Sequence, residues 1–223
     1  SQYERSVLES IRKDELWEHL SNIASFQRLS GSLGEQRAID YISENLQRHD
    51  IENRVNRFPA RISNPIKAKL NIFFQKGCPL IIDAKTWSFT SRAGVHKVQG
   101  EVIYIPVEDL PTSYMDYLLN KGKHSKDLEG MVVIGETSVP YHLMSLRDRG
   151  AAGYIFSWKE GDEKEIHEGN VNMIWGTPFP EDNSHFLDMP FVAVNRRSGQ
   201  EIIRFSLERV ITASIEVELE DVV

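Results

Sequence analysis

From Ile211 to Glu220 the chain alternates: Ile211, Ala213, Ile215, Val217 and Leu219 are apolar, and Thr212, Ser214, Glu216, Glu218 and Glu220 are polar or acidic. A period of two sustained this long specifies a β-strand with one buried and one wetted face, because successive side chains of a strand point to opposite sides. Such a strand needs neighbours to complete its ladder, and an unfilled side would be an open edge that normally pairs with more chain. The second clear strand is PIKAKLNIFF, where Ile66, Ala68, Leu70, Ile72 and Phe74 alternate with Lys67, Lys69 and Asn71. A further strand is expected near Asn53 to Pro59.

The rest of the chain mixes helix and strand. Val7, Leu8 and Ile11, then Leu16, Leu20 and Ile23, recur at helical spacing, with Asp14 placed to cap the second run. In the stretch RLSGSLGEQRAIDYISENL, Ser32 and Glu35 fit a capping box, and Ala38, Ile39, Ile42 and Leu46 give the following helix an apolar face. Between about Leu80 and Asn195 the pattern becomes strand and helix in turn. VQGEVIYIP reads as a strand, Met131 to Ile134 as a strand buried on both faces, Tyr141 to Arg149 as a helix stopped by Gly150, and Tyr154 to Phe156 as a strand parallel to the first. MPFVAVN is another strand, followed by a second capping box at Ser198 to Glu201 that opens a helix carrying Ile202, Ile203 and Phe205 or Leu207 inward.

Charge and composition exclude several function classes. With 26 basic and 33 acidic side chains the formal charge is −7, the wrong sign for a protein that must displace counterions from nucleic acid. No apolar run approaches the ~20 residues that span a bilayer, so no membrane partner is expected, and SQYERSVLES lacks the apolar core of a signal peptide. Cys78 is the one cysteine, which excludes an internal disulfide and a thiolate cluster, fits a reducing compartment such as the cytoplasm, and reads as buried.

Candidate chemistry is sparse. The loop Ser30 to Gly34 opens a helix whose free amides could hold a phosphate, but it lacks the lysine of a P-loop and the pattern of a dinucleotide turn, and Glu35 would repel an anion. It reads as a structural cap. His19, His49, His96, His124, His142, His167 and His185 form no HExxH, HxH or HxD pair and read as scattered, solvated side chains. GxSxG is absent, and Cys78 has no base beside it in sequence. The segment NMIWGTPFPEDNSHF, with Trp175, Pro178, Phe179, Pro180 and Phe186, places aromatic and proline surface in a loop, the composition of a contact surface; Trp175 alternatively plugs the edge of the local core.

Several motifs in order resemble a known family. RLSGSLGEQRAIDYISENL is similar to the segment near the start of the catalytic domain in zinc-dependent aminopeptidases with two co-catalytic metals, R-x-x-G-x-x-G-E-x-x-A-x-x-Y-I. The middle resembles the protease-associated domain often inserted in that family, at Val98 to Pro106, Asp127 to Ile134, RGAAGYIF from Arg149 to Phe156, IWGTP from Ile174 to Pro178, and MPFVAV followed by Ser-Gly.

The resemblance implies an α/β (mixed α+β) fold: an incomplete peptidase α/β edge, residues 1–79 and a returning strand at 206–223, carrying an inserted protease-associated β/α domain at 80–205. It implies that the strands around Arg54, Leu70 and Ile215 share one sheet, because an insertion must leave and return to its host, and it implies two zinc ions and a peptide substrate for the full-length enzyme. The family's metal ligands and general base lie beyond the insert, so no catalytic or metal residue is carried over and the chain alone is expected to be inactive. Trp175 and Thr177 are expected to face substrate at its entrance. The alternative reading is a stand-alone protein-interaction module.

Overall fold

The computed structural model describes residues 2–122, 126–160, 162–172 and 178–222. The chain divides into two compact units, Ser1–Phe58 and Pro59–Val223. Among the described residues no helix is long and apolar enough to cross a membrane.

The first unit holds three helices, α1 (Gln2–Ser10), α2 (Lys13–Ala24) and α3 (Leu33–Arg48). Asp14 does not cap α2: the helix starts one residue before it, and Asp14 and Glu15 instead place negative charge in the first turn, where the helix dipole favours it. The entrance to α3 is the expected cap. Ser32 Oγ accepts from the Glu35 amide at 3.2 Å, and Glu35 Oε2 reaches back to the Gly31 amide at 2.7 Å. Gly34 is required here, because a Cβ would sit 2.0 Å from the Gln27 carbonyl oxygen. The Tyr41 hydroxyl ties α3 to α2 through His19 Nδ1 at 2.9 Å and Asn22 Nδ2 at 3.1 Å. Among this unit's described residues only Ala38 is buried, while Leu16, Trp17 and Leu20 lie open on α2.

No strand forms from Asn53 to Pro59. The Asn53 side chain instead accepts from the Ser43 hydroxyl through Oδ1 and donates through Nδ2 to the Ser43 and Ile51 carbonyls, which commits the start of this segment to contacts with α3.

The second unit is built on a seven-stranded mixed sheet of β1 (Ile62–Phe73), β2 (Leu80–Ile82), β3 (Gly94–Tyr104), β4 (Val132–Gly135), β5 (Gly153–Ser157), β6 (Phe191–Val194) and β7 (Thr212–Val222), in the spatial order β2-β1-β7-β3-β4-β5-β6. Three helices accompany it: α4 (Tyr114–Asn120), α5 (Pro140–Asp148) and α6 (Arg196–Glu208). The alternating strand β7 lies inside the sheet, antiparallel to β1 and to β3, so that Ile215 faces Leu70 on one side and Val98 on the other. The pairing of Leu70 with Ile215 is as expected, but the open edge is not there. Alternation reports one wetted face, not a missing neighbour: Ala213, Ile215, Val217 and Leu219 are buried, while Glu216 on the other face bridges Lys69 and Lys97, each at 3.0 Å.

Strands β3 to β6 are parallel, and the fully buried β4, β5 and β6 follow from helices or loops on both faces. Val132, Ile134, Ile155, Val192 and Val194 pack with Ile202 of α6; Val133, Tyr154, Phe156 and Phe191 pack with Leu143 and Leu146 of α5. Each such side chain removed from water contributes about 1.5–3 kcal/mol.

The motifs at Asp127, at Arg149 and after MPFVAV make structural contacts, and most of IWGTP lies outside the described residues. Arg149 grips Asp127 with two bonds of 3.1 and 2.7 Å, while Leu128 and Gly130 donate to the Arg149 and Gly150 carbonyls, locking the entry to β4 against the end of α5. The cap of helix α6 lies three residues before Ser198, the expected one. Asn195 is its cap, accepting from the Ser198 amide at 2.8 Å, and Gly199 then presses the first turn onto Ser157 of β5. Phe205 turns inward and Leu207 outward. Cys78 is exposed, not buried, because it lies in the turn between β1 and β2.

Candidate functional site

The antiparallel pairing of β7 with β1 and β3 brings three chain segments to one end of the sheet. Arg61 precedes β1, Arg92 precedes β3, and Asp221 lies near the end of β7, opposite Ser63. The segment 178–189 is laid over this end. The Arg61 amide donates to the Pro178 carbonyl at 2.7 Å, and its guanidinium donates to Asn183 Oδ1 at 2.5 Å and to the Pro180 carbonyl. Arg92 holds Asp188 with a two-bond fork, both bonds 3.0 Å. Both guanidiniums lie over the buried Phe186 ring, at 5.7 and 5.4 Å from its centre.

Phe186 packs on Phe89 at 5.4 Å between ring centres, and Phe89 takes a backbone φ of 62°. A bulky residue in that region costs on the order of 1–3 kcal/mol and persists only where its surroundings hold it. Here Ser63 Oγ accepts the Phe89 amide at 3.1 Å, and the Phe89 carbonyl accepts from Leu187 at 2.9 Å.

Asp221 continues the inward row of β7, so a carboxyl follows Leu219 at the end of the buried face. Burial raises its pKa above the ordinary aspartate value, opposed by Arg61, by the Ala93 amide and by Arg92. Its Oδ1 is buried and has no hydrogen-bond partner among the described residues.

His185 anchors the other side of the loop. It is buried, with Nδ1 at 2.6 Å from Asn172 Oδ1, Nε2 at 3.4 Å from Asp182 Oδ2, and its ring 6.2 Å from that of Phe89. Asp182 accepts from the Ser184 hydroxyl and amide, which together lower its pKa. The aspartate is therefore ionised beside the histidine at neutral pH.

Trp175 and Thr177, the expected substrate-facing residues, lie outside the described residues. The flanks of their segment are described: Asn172 is held by His185, and Pro178 by Arg61. Of the segment's other aromatic residues, Phe186 is core and Phe179 is exposed.

The histidines are not uniformly solvated. His185 and His142 are buried, the latter with Nδ1 at 2.8 Å from Thr137 Oγ1 and Nε2 at 2.9 Å from the Pro111 carbonyl oxygen, and burial lowers its pKa. Each has one partner too distant for local spacing to reveal, Pro111 for His142 and Asn172 for His185. Arg61 and Arg92 gave no sequence signal, since polar residues on separate strands become a cluster only through the sheet register.

A two-zinc centre needs several His, Asp or Glu donors converging. Among the described residues no group of three or more His, Cys, Asp or Glu does so. His185 and Asp182 make a pair without a third donor, and Asp188 is committed to Arg92. These side chains do not fit a two-metal centre.

No protein-family model and no curated protein matches the chain. Solved structures do. A peptidase M28 precursor from Shewanella amazonensis SB2B superimposes with a TM-score of 0.63 at 14% identity, over 92% of this chain and 47% of that one. What the two share is a fold. Two structures of BSAP, a zinc aminopeptidase from Bacillus subtilis, align with TM-scores of 0.49 at 11% and 10% identity, over 90% of this chain and 43% of theirs. The chain thus spans about half the length of the structures it matches, and its mixed α/β architecture with a seven-stranded sheet matches that of the M28 precursor.

Proposed function

We propose that the chain is the non-catalytic N-terminal region of a metal-dependent aminopeptidase. In this reading residues 1–79 and 206–223 belong to the peptidase domain, residues 80–205 are a protease-associated domain that shapes substrate access, and two zinc ions are held by a further part of the enzyme. The observation that carries it is the fold shared with the M28 precursor over nearly all of this chain and under half of that one. The order of the sequence motifs supports it. So does the open apolar surface of Leu16, Trp17 and Leu20, which is the kind of surface that further folded polypeptide covers.

Trp175 and Thr177 would border the substrate entrance, on a segment whose two flanks are pinned by His185 and Arg61. The residues described here supply position, not chemistry.

The test is an assay of the native polypeptide that carries this sequence, with aminoacyl p-nitroanilides as substrates. Hydrolysis that is lost on chelation and restored by zinc is expected, with none from the 223 residues alone. A native polypeptide without such activity would overturn the reading.

A further inference from the structure

A concave site lies at the end of β3 opposite to Arg92, outside the C-terminal ends of β3 and β4. In parallel sheets the ends of the strands give way to loops, and ligands are bound in the crevices left there. Tyr104 is the last residue of β3, and Glu136 follows directly on β4. Helix α6 crosses above them and supplies Gln200, Ile203, Arg204, Leu207 and Glu208, one continuous helix face. The open crevice they line has a volume of about 450 Å³, within the range of small-molecule sites.

Its chemistry is uneven. Glu208 is met by Arg204 at 3.4 Å and Arg209 at 3.2 Å. Glu136 is less well served. Its side chain is only 18% exposed, yet Oε2 has the Tyr104 hydroxyl at 3.4 Å and the Lys159 ammonium at 3.8 Å, both beyond ordinary hydrogen-bond length, and Oε1 has no partner among the described residues. Lys159 is two-thirds exposed, so water competes for it. Tyr104 stays protonated, because burial and the Glu136 charge both raise its pKa. Beside this carboxylate stand Ile203 and Leu207, the latter 71% exposed.

We propose that this crevice binds a small organic cation, a primary amine or guanidinium carried on an apolar stem. The cationic head gives Glu136 the close, charge-assisted bond that the protein leaves unmade, with the Tyr104 hydroxyl beside it. The stem covers Ile203 and Leu207 and removes their surface from water. Arg204 is turned to Glu208 and to the Phe205 ring, 4.8 Å from its centre, and Lys159 is displaced toward solvent. The proposal does not depend on the peptidase reading.

Calorimetric titration of the whole chain with n-hexylamine, and with 1-hexanol as the neutral control of equal stem, tests it. Hexylamine is expected to bind at least about tenfold more tightly than hexanol, and Glu136→Gln to remove that difference. Lys159→Ala is expected to tighten amine binding, since it deletes the competing cation, and Leu207→Ala to weaken amine and alcohol alike. Should Glu136→Gln fail to fold by circular dichroism, the opposite signs of the two surface variants decide the matter. Equal binding of amine and alcohol, absence of amine binding, or amine affinity unchanged in both surface variants would overturn the proposal.

Discussion

The imidazole Nδ1 of His185 lies 2.6 Å from the side-chain oxygen of Asn172, closing a loop across a separation of 13 residues. Because His185 is also buried against Phe89 and beside Asp182, the contact fixes Asn172 and His185 relative to each other within the second unit. His185→Ala removes both the bond and a buried ring. It is expected to cost about 1–3 kcal/mol in urea unfolding and to speed proteolytic cleavage within 172–185. Cleavage at the wild-type rate would show that the loop is held by Arg61 and Phe186 alone.

Asp221 gives a pH signature of definite sign. Its folded pKa is raised above the ordinary value of 3.8, so the native state binds this proton more tightly than the unfolded chain does. The contribution to stability is fully present below 3.8 and is lost as the pH rises through the folded pKa. Asp221→Asn, neutral at every pH, is therefore expected to be more stable than wild type at pH 7, with the advantage vanishing below the ordinary aspartate value. Unfolding midpoints measured across that range check it; a variant less stable at pH 7 would show that attraction to Arg61 and Arg92 outweighs desolvation.

How much of this was legible in the sequence follows from which interactions are local. The pattern from Ile211 to Glu220 showed its strand and its buried face, because strand periodicity is a property of consecutive residues. It did not show that β3 fills the second side of β7, since pairing partners are set by the whole topology. Ser32 with Glu35 was legible as a cap, as both partners lie within one turn. Asn195 was missed, because Ser198 offered an equally good local pattern and only the direct passage from β6 into α6 selects the earlier residue. The site fared worse: Arg61, Arg92 and Asp221 are strangers in sequence brought to one sheet end by strand register, His185 is placed by a loop, and Trp175 and Thr177 lie outside the described residues.

His142 gives the opposite pH signature. Burial lowers its pKa below the ordinary value of 6.5, so the unfolded chain takes up the proton first. The stability it contributes is complete above 6.5 and falls as the pH drops from there through the folded pKa. The groups facing the ring are neutral, the Thr137 hydroxyl and the Pro111 carbonyl, so nothing in contact compensates the charge. His142→Gln keeps a donor for Pro111 and does not titrate. It is expected to flatten the decline of stability on the acid side of pH 6.5, whatever its offset at pH 7. An unchanged slope would assign the acid sensitivity to other groups.

Gly199 carries a close approach of α6 to β5. A Cβ there would sit 2.0 Å from Ser157 Oγ and 2.5 Å from Ser157 Cβ, both beneath any real contact. Ser157 is fully buried, and its hydroxyl has no hydrogen-bond partner among the described residues, so neither atom has room to retreat. Gly199→Ala must therefore lift the first turn of α6 away from β5 and is expected to cost about 1–3 kcal/mol, the usual penalty of overpacking. Ser157→Gly deletes both clashing side-chain atoms. In combination with Gly199→Ala it is expected to recover most of that loss, a coupling of about 1 kcal/mol or more read from a double-mutant cycle of unfolding free energies. Additive effects in the cycle would mean that α6 reaches its place on the sheet by contacts other than this one, and that Ile202 alone sets its height.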